Sequence, residues 1–103
     1  MFQLNLYQSK LNELCNSHCV NELYLFGSAL KNSFNEKSDI DVLIQFGIID
    51  VNEYFDNYIH LKEELELLFD RSVDLVENQA VRNPIFRKVL DREKVLIYER
   101  KDS

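Results

Sequence analysis

The residues of this 103-residue chain best suited to chemistry are a glycine-serine pair and three aspartates: Gly27-Ser28, then ten residues, then Asp39-Ile40-Asp41, and later Asp74. A glycine lets the backbone turn sharply and lets a phosphate come close. Ser28 offers a hydroxyl, and amides at the start of a following helix add donors and a positive dipole end. The pair is therefore an anion cradle. Asp39 and Asp41 lie two apart in a β-patterned run, so their carboxylates project from one face and can share hard cations such as Mg²⁺. Two carboxylates about 4 Å apart repel by roughly 4 kcal/mol at an effective dielectric near 20, so something positive is expected among them. If the strand bearing Asp74 lies beside the one bearing Asp39 and Asp41, three acids meet next to the turn. That arrangement would let two metals grip a triphosphate while a hydroxyl is deprotonated for in-line attack on the α-phosphorus.

The elements that must position these groups are legible from periodicity. Asp39 to Phe46 alternates, with Ile40, Val42, Ile44 and Phe46 on one face and Asp39, Asp41, Leu43 and Gln45 on the other, which predicts a strand. Glu22 to Phe26 predicts a strand ending at Gly27, Ser28 to Asn32 a short helix, and Asn32 to Ser38 a surface loop. Arg71 to Glu77 reads as a strand with Asp74 pointing opposite to Val73 and Leu75. Lys94 to Tyr98 reads as a last strand. Leu4, Tyr7, Leu11, Leu14 and Cys15 mark an opening helix over about residues 3–18, within a segment 1–19. Tyr54, Tyr58, Leu61, Leu65 and Leu68 mark a long helix from Asn52 to Phe69. Asn83-Pro84 supplies a cap and a first-turn proline for a helix to about Arg92. The expected fold class is α+β, a small mixed β-sheet with helices packed mainly on one face. It forms a single domain over residues 1–103 with a frayed tail at 99–103.

Composition narrows the function. Twelve Lys and Arg stand against eighteen Asp and Glu, a net charge of −6, which is the wrong sign for a sequence-reading nucleic-acid binder. The four basic and twelve acidic residues of positions 1–70 contrast with eight basic and six acidic in 71–103, so the last third is where an anion or acidic partner is expected. No apolar run approaches the roughly 20 residues that cross a bilayer, and the first residues lack the pattern of an export signal, so a cytoplasmic location is expected. Cys15, Cys19 and His18 lack a second ligand pair for zinc, since His60 stands alone. The thiols are expected to pack as small hydrophobes. Arg82, Arg87, Lys88 and Arg92 read as a solvated helix face, with Arg87 a candidate contact to nucleotide or partner. Tyr54, Phe55 and Tyr58 fit either an interface or burial within the domain.

Phe26-Gly27-Ser28, the ten-residue spacer, Ser38-Asp39-Ile40-Asp41-Val42-Leu43-Ile44 and Val73-Asp74-Leu75-Val76 together resemble the minimal nucleotidyltransferases of the DNA polymerase β superfamily, over roughly residues 20–98. The resemblance implies a polymerase β palm-like fold. It also implies transfer of AMP from ATP to a hydroxyl, a tyrosine's, on a partner HEPN toxin, for which the protein acts as antitoxin. In that pattern Gly27 and Ser28 hold the β- and γ-phosphates, and Asp39 and Asp41 bind two Mg²⁺ ions. Asp74 completes the metal site and helps activate the acceptor hydroxyl. Lys31-Asn32 stands where the family commonly has Arg-Gly, so Lys31 joins the nucleotide-binding set as a point charge in place of a planar fork. A non-catalytic module that neutralises its partner by occlusion is the alternative, and transfer to a small molecule shares the chemistry. Homo- or hetero-oligomers are compatible with either.

Overall fold

The computed structural model describes residues 3–101. A 3₁₀ turn, Leu4–Leu6, leads into α1 (Gln8–Ser17) and β1 (Val20–Phe26). A second 3₁₀ turn, Gly27–Leu30, precedes β2 (Ile40–Phe46), α2 (Val51–Phe69) and β3 (Val73–Glu77). A third, Asn78–Ala80, precedes α3 (Pro84–Glu93) and β4 (Val95–Glu99).

Alternation decides which side of the sheet each residue serves. Ile40, Val42 and Ile44 are at most 1% exposed, and Leu23, Leu25, Val73 and Leu75 join them from the neighbouring strands. The strands run in the order β3-β2-β1-β4. β1 pairs antiparallel with β2 and with β4, while β2 and β3 are parallel, a pairing that needs a long crossover and receives it from α2. α1 contributes Leu11, Leu14 and Cys15 to the core, and α2 contributes Leu61, Leu65 and Phe69.

Local signals set the helix ends. The Asp50 carboxylate accepts the Asn52 amide at the start of α2, and Asp70 closes that helix in the left-handed conformation at φ 53°. Asn83 accepts the amides of Ile85 and Phe86 ahead of Pro84. The opening helix is shorter than its apolar spacing suggests, because the chain makes a 3₁₀ turn at Leu4–Leu6 before α1 begins. Its leading residues Met1 and Phe2 lie outside the described residues. At the other end Glu99 belongs to β4 and the Arg100 amide donates to the Asn21 carbonyl at 2.7 Å. Asp102 and Ser103 fall outside the described residues.

α3 lies on the face opposite α1 and α2. Phe86 meets Phe26 edge-on with ring centroids 6.4 Å apart, and the Lys94 ammonium sits 4.5 Å from the Tyr24 ring centroid. Tyr24 and Phe26 alternate with the core residues Leu23 and Leu25, so both contacts lie on the far side of the sheet. Leu90, one helical turn from each, is the buried residue of α3, and Leu43 is the buried residue of that face on β2. Two helices thus cover one face and a single short helix partly covers the other, in a four-stranded mixed sheet of the α+β class. Among the described residues no helix is long and apolar enough to cross a membrane.

Candidate active site

The parallel pairing of β2 and β3 brings the acids together. Asp41 is the register partner of Asp74. Partners on adjacent strands, about 4.8 Å apart, project from the same face of a sheet, and here it is the face away from the main core. Asp39 stands just before β2, exposed, two residues from Asp41. Asp74 is exposed and Asp41 half-buried.

β1 delivers the turn to the same place. Phe26 is the register partner of Asp41, so Gly27 begins its turn directly beside that carboxylate. Gly27 has φ +66°, a conformation other residues adopt only under strain. A side chain there would also run into the Asp41 carboxyl group, whose Cγ would stand 3.3 Å from the added carbon. Glycine is thus required twice, for its dihedral and for the approach. The following helix is one 3₁₀ turn ending at Leu30, shorter than the span to Asn32 that the sequence suggested. Only Ala29 is buried in it, and Lys31-Asn32 have nothing apolar to hold them in helix. With so few aligned peptides, local amides supply the anion donors and a helix dipole adds little. Ser28 does not cap that turn. Its hydroxyl donates to the Asp39 carbonyl at 2.9 Å and ties the turn to the start of β2. Lys31 is exposed, just past the turn, with extended backbone.

Electrostatics marks Asp41. Its pKa is raised above the ordinary carboxylate value, first by burial and then by the charges of Asp74 and Asp39. A hydrogen bond from the Ser28 amide opposes the rise. Among the described residues none of the three aspartates makes an ion pair. Hard oxygen donors crowded without a cationic side chain fit a divalent hard cation. No three His, Cys, Asp or Glu side chains among the described residues already converge on one ligating point. The structure therefore gathers the aspartates on one face without closing them into a finished cage.

Arg87, considered from the sequence as a solvated residue or a contact to nucleotide or partner, is half-buried and bonded within the domain. It donates to the Asn78 carbonyl at 3.0 Å, to Asn78 Oδ1 at 2.6 Å and to Asp91, tying α3 to the end of β3. Asn78 in turn donates to Gln45 Oε1 at 3.4 Å. Two residues bearing on the site gave little sequence signal. Arg71 donates to the carbonyls of Asn35 and Ser38 and lies 4.4 Å from the Phe34 ring centroid, so it clasps the loop between the turn and Asp39. Phe86 reaches Phe26 from α3 and remains 44% exposed. An apolar pair after the Asn83-Pro84 cap was its one visible trace.

Tyr54 and Tyr58 are tied inside the domain, their hydroxyls donating to Glu77 and to the Leu75 carbonyl, whereas Phe55 is exposed. Cys15 is buried, and burial pushes its thiol up to about 12. Cys19 is a half-buried free thiol. His18 bridges Asn57 and Glu64, linking the end of α1 to α2.

Comparison with known proteins bears on the family and the fold. Residues 9–103 match the family described as Polymerase beta, Nucleotidyltransferase. A Methanocaldococcus jannaschii protein named as a candidate protein adenylyltransferase is 36% identical over 81 residues, covering 77% of this chain and 76% of the relative. The protein adenylyltransferase MntA of Thermococcus cleftensis is 36% identical over 78 residues, 76% of this chain and 75% of its own. Among solved structures, a candidate minimal nucleotidyltransferase superposes with a TM-score of 0.71 at 27% identity, over 89% of this chain and 90% of that one. A structure described as a tri-AMPylated Shewanella oneidensis HEPN toxin in complex with its MNT antitoxin shares the fold. Its TM-score is 0.63 at 19% identity, over 95% of this chain and 74% of that one.

Proposed function

The chain belongs to the polymerase β nucleotidyltransferase family, and on that footing we propose that it is a protein adenylyltransferase of the minimal type. It moves AMP from ATP to a tyrosine hydroxyl of a HEPN toxin, which it thereby neutralises as the antitoxin. The observation that carries this reading is the register pairing of Asp41 with Asp74 beside the Gly27-Ser28 turn.

Each residue has a task set by its position. The Gly27 and Ser28 amides hold the β- and γ-phosphates, with the exposed Lys31 adding charge from the end of the turn. Asp39, Asp41 and Asp74 would hold two Mg²⁺ ions, which would supply charge compensation for the triphosphate and polarise the α-phosphorus. Asp39 and Asp74 are exposed, so side-chain rotation suffices to close the set around a cation. Asp74 sits on the outer strand and its carboxylate makes no hydrogen bond among the described residues, which leaves it free to orient the acceptor hydroxyl and take its proton. The acceptor oxygen bonds to the α-phosphorus as the bond to the bridging oxygen breaks, and pyrophosphate leaves. The open face beside Asp74 suits an acceptor carried by a second protein.

Incubation with α-labelled ATP, Mg²⁺ and a HEPN-type partner protein tests the reading. Label should pass to the partner, and Asp39→Asn or Asp41→Asn should abolish transfer. Neutralisation that survives in the Asp39→Ala, Asp41→Ala double variant would replace catalysis by occlusion.

A further inference from the structure

Phe86 presents an aromatic surface that packing within the domain does not consume. Its ring meets Phe26 edge-on at 6.4 Å yet stays 44% exposed, and it occupies the first turn of a helix fixed by the Asn83 cap. Phe26 is covalently joined to Gly27 and is the register partner of Asp41 on the same sheet face. Register partners in an antiparallel pair have Cβ atoms roughly 5 Å apart. The Phe86 ring therefore lies on the same sheet face as the Asp41 carboxylate, one aromatic contact beyond Phe26. It also stands on the β1 side, where the phosphate-binding turn lies, whereas Asp74 is on the opposite outer strand.

A nucleotide held by its phosphates at Gly27-Ser28 carries its base on a short tether, and a planar base needs a planar apolar surface to stack upon. From this placement we infer that Phe86, braced by Phe26, is the platform on which the base of the nucleoside triphosphate stacks. The inference rests on the nucleotidyltransferase reading and adds the subsite for the base. Stacking tolerates different bases, so purine triphosphates bind more tightly than pyrimidine triphosphates through contact area, without hydrogen-bonded readout. Arg87, the neighbouring residue on α3, is directed to Asn78 and Asp91 at the end of β3.

Calorimetric titration of the full chain with Mg-ATP and with Mg-tripolyphosphate, in the absence of any acceptor, tests it. Phe86→Ala should lose about tenfold in ATP affinity and nothing in tripolyphosphate affinity, since only ATP has a base to stack. Phe86→Tyr should stay within about twofold of the parent. Phe86→Leu keeps the apolar bulk, and far-ultraviolet circular dichroism verifies its fold. It should still lose most of the ATP effect. Unchanged ATP affinity in Phe86→Leu, or equal losses for both ligands, overturns the inference and returns the ring to a protein interface. A parent that binds neither ligand defeats the nucleotidyltransferase reading itself. A parent that binds both equally leaves that reading standing and removes only the base platform.

Discussion

Replacing Asp74 by asparagine should make the metal-free protein more stable while destroying its activity. Asp41 and Asp74 face each other across a parallel pair, so their charges lie roughly 5 Å apart. Coulomb's law gives about 3 kcal/mol of repulsion at an effective dielectric of 20 and about 1 kcal/mol in water-like surroundings. Asp74 is exposed, so solvent screening favours the smaller figure. Relief of about 1 kcal/mol raises the melting temperature of a domain this size by about 4 °C. The pH dependence has a definite sign. The pKa of Asp41 is raised in the folded state, so the folded chain holds that proton more tightly than the unfolded chain. Stability is greatest when Asp41 is protonated and falls as pH rises through its elevated folded pKa. The gap between Asp74→Asn and the parent should thus be small in acid and open towards neutrality. Added Mg²⁺ should reverse the order: at about ten times its dissociation constant an ion adds roughly 1.4 kcal/mol to the parent. The variant should gain less. Scanning calorimetry in EDTA and in Mg²⁺, from pH 3 to 8, reads all of this. A variant less stable than the parent in EDTA at neutral pH would refute the claim that the acids form a repulsive, cation-seeking cluster.

Gly27→Ala should cost about 2 kcal/mol from its left-handed conformation alone and abolish label transfer, because the new carbon meets Asp41; denaturant melts and the transfer assay read the two effects separately. Asn83→Ala removes the acceptor for two amides and should lower stability by about 1 kcal/mol without touching the aspartates; urea titration measures it. Arg71→Met should release the loop over residues 31–38, seen as faster limited proteolysis there with only a modest change in melting temperature. Leu65→Ala, at a fully buried position of α2, should cost 2–5 kcal/mol, roughly the range for emptying such a site, and unfold much of the protein at 37 °C.

The strand of Asp39 to Phe46 was legible because its alternation is strict: every second residue is core and the residues between are acids, one leucine and a glutamine. The long helix was legible from its stripe. Which strand lies beside which was not contained in that periodicity. The adjacency of the Asp41 and Asp74 strands stood there only as a condition, and the resemblance gave Asp74 a role without a register, since parallel neighbours need contacts far apart in sequence. α3 was read as a helix from Asn83-Pro84, but not as the cover of the opposite face. Leu90 alone is buried in it, too thin a stripe to reveal a partner surface. Arg87 illustrates the same limit. Its spacing to Asp91 was visible, but the bonds to Asn78 that hold it half-buried depend on how α3 crosses the end of β3. The turn after Gly27 ended early for a local reason, as Lys31-Asn32 offers no apolar anchor. The Ser28 hydroxyl, read from the sequence as part of an anion cradle, also braces Asp39, because the carbonyl it meets belongs to another segment.

The division of labour along β2 has a consequence for how this gene can change. Asp39 and Asp41 lie on the face opposite Ile40, Val42 and Ile44, so point substitutions at 39 or 41 are expected to retune or silence the reaction while the three core residues keep the fold intact. Loss or gain of a single codon within residues 40–46 is another matter. It shifts the reading of the pleat by one, turning carboxylate inward and isoleucine outward in the same stroke. Catalytic drift is thus open to this lineage by substitution, whereas frame-preserving insertions in that strand are closed to it.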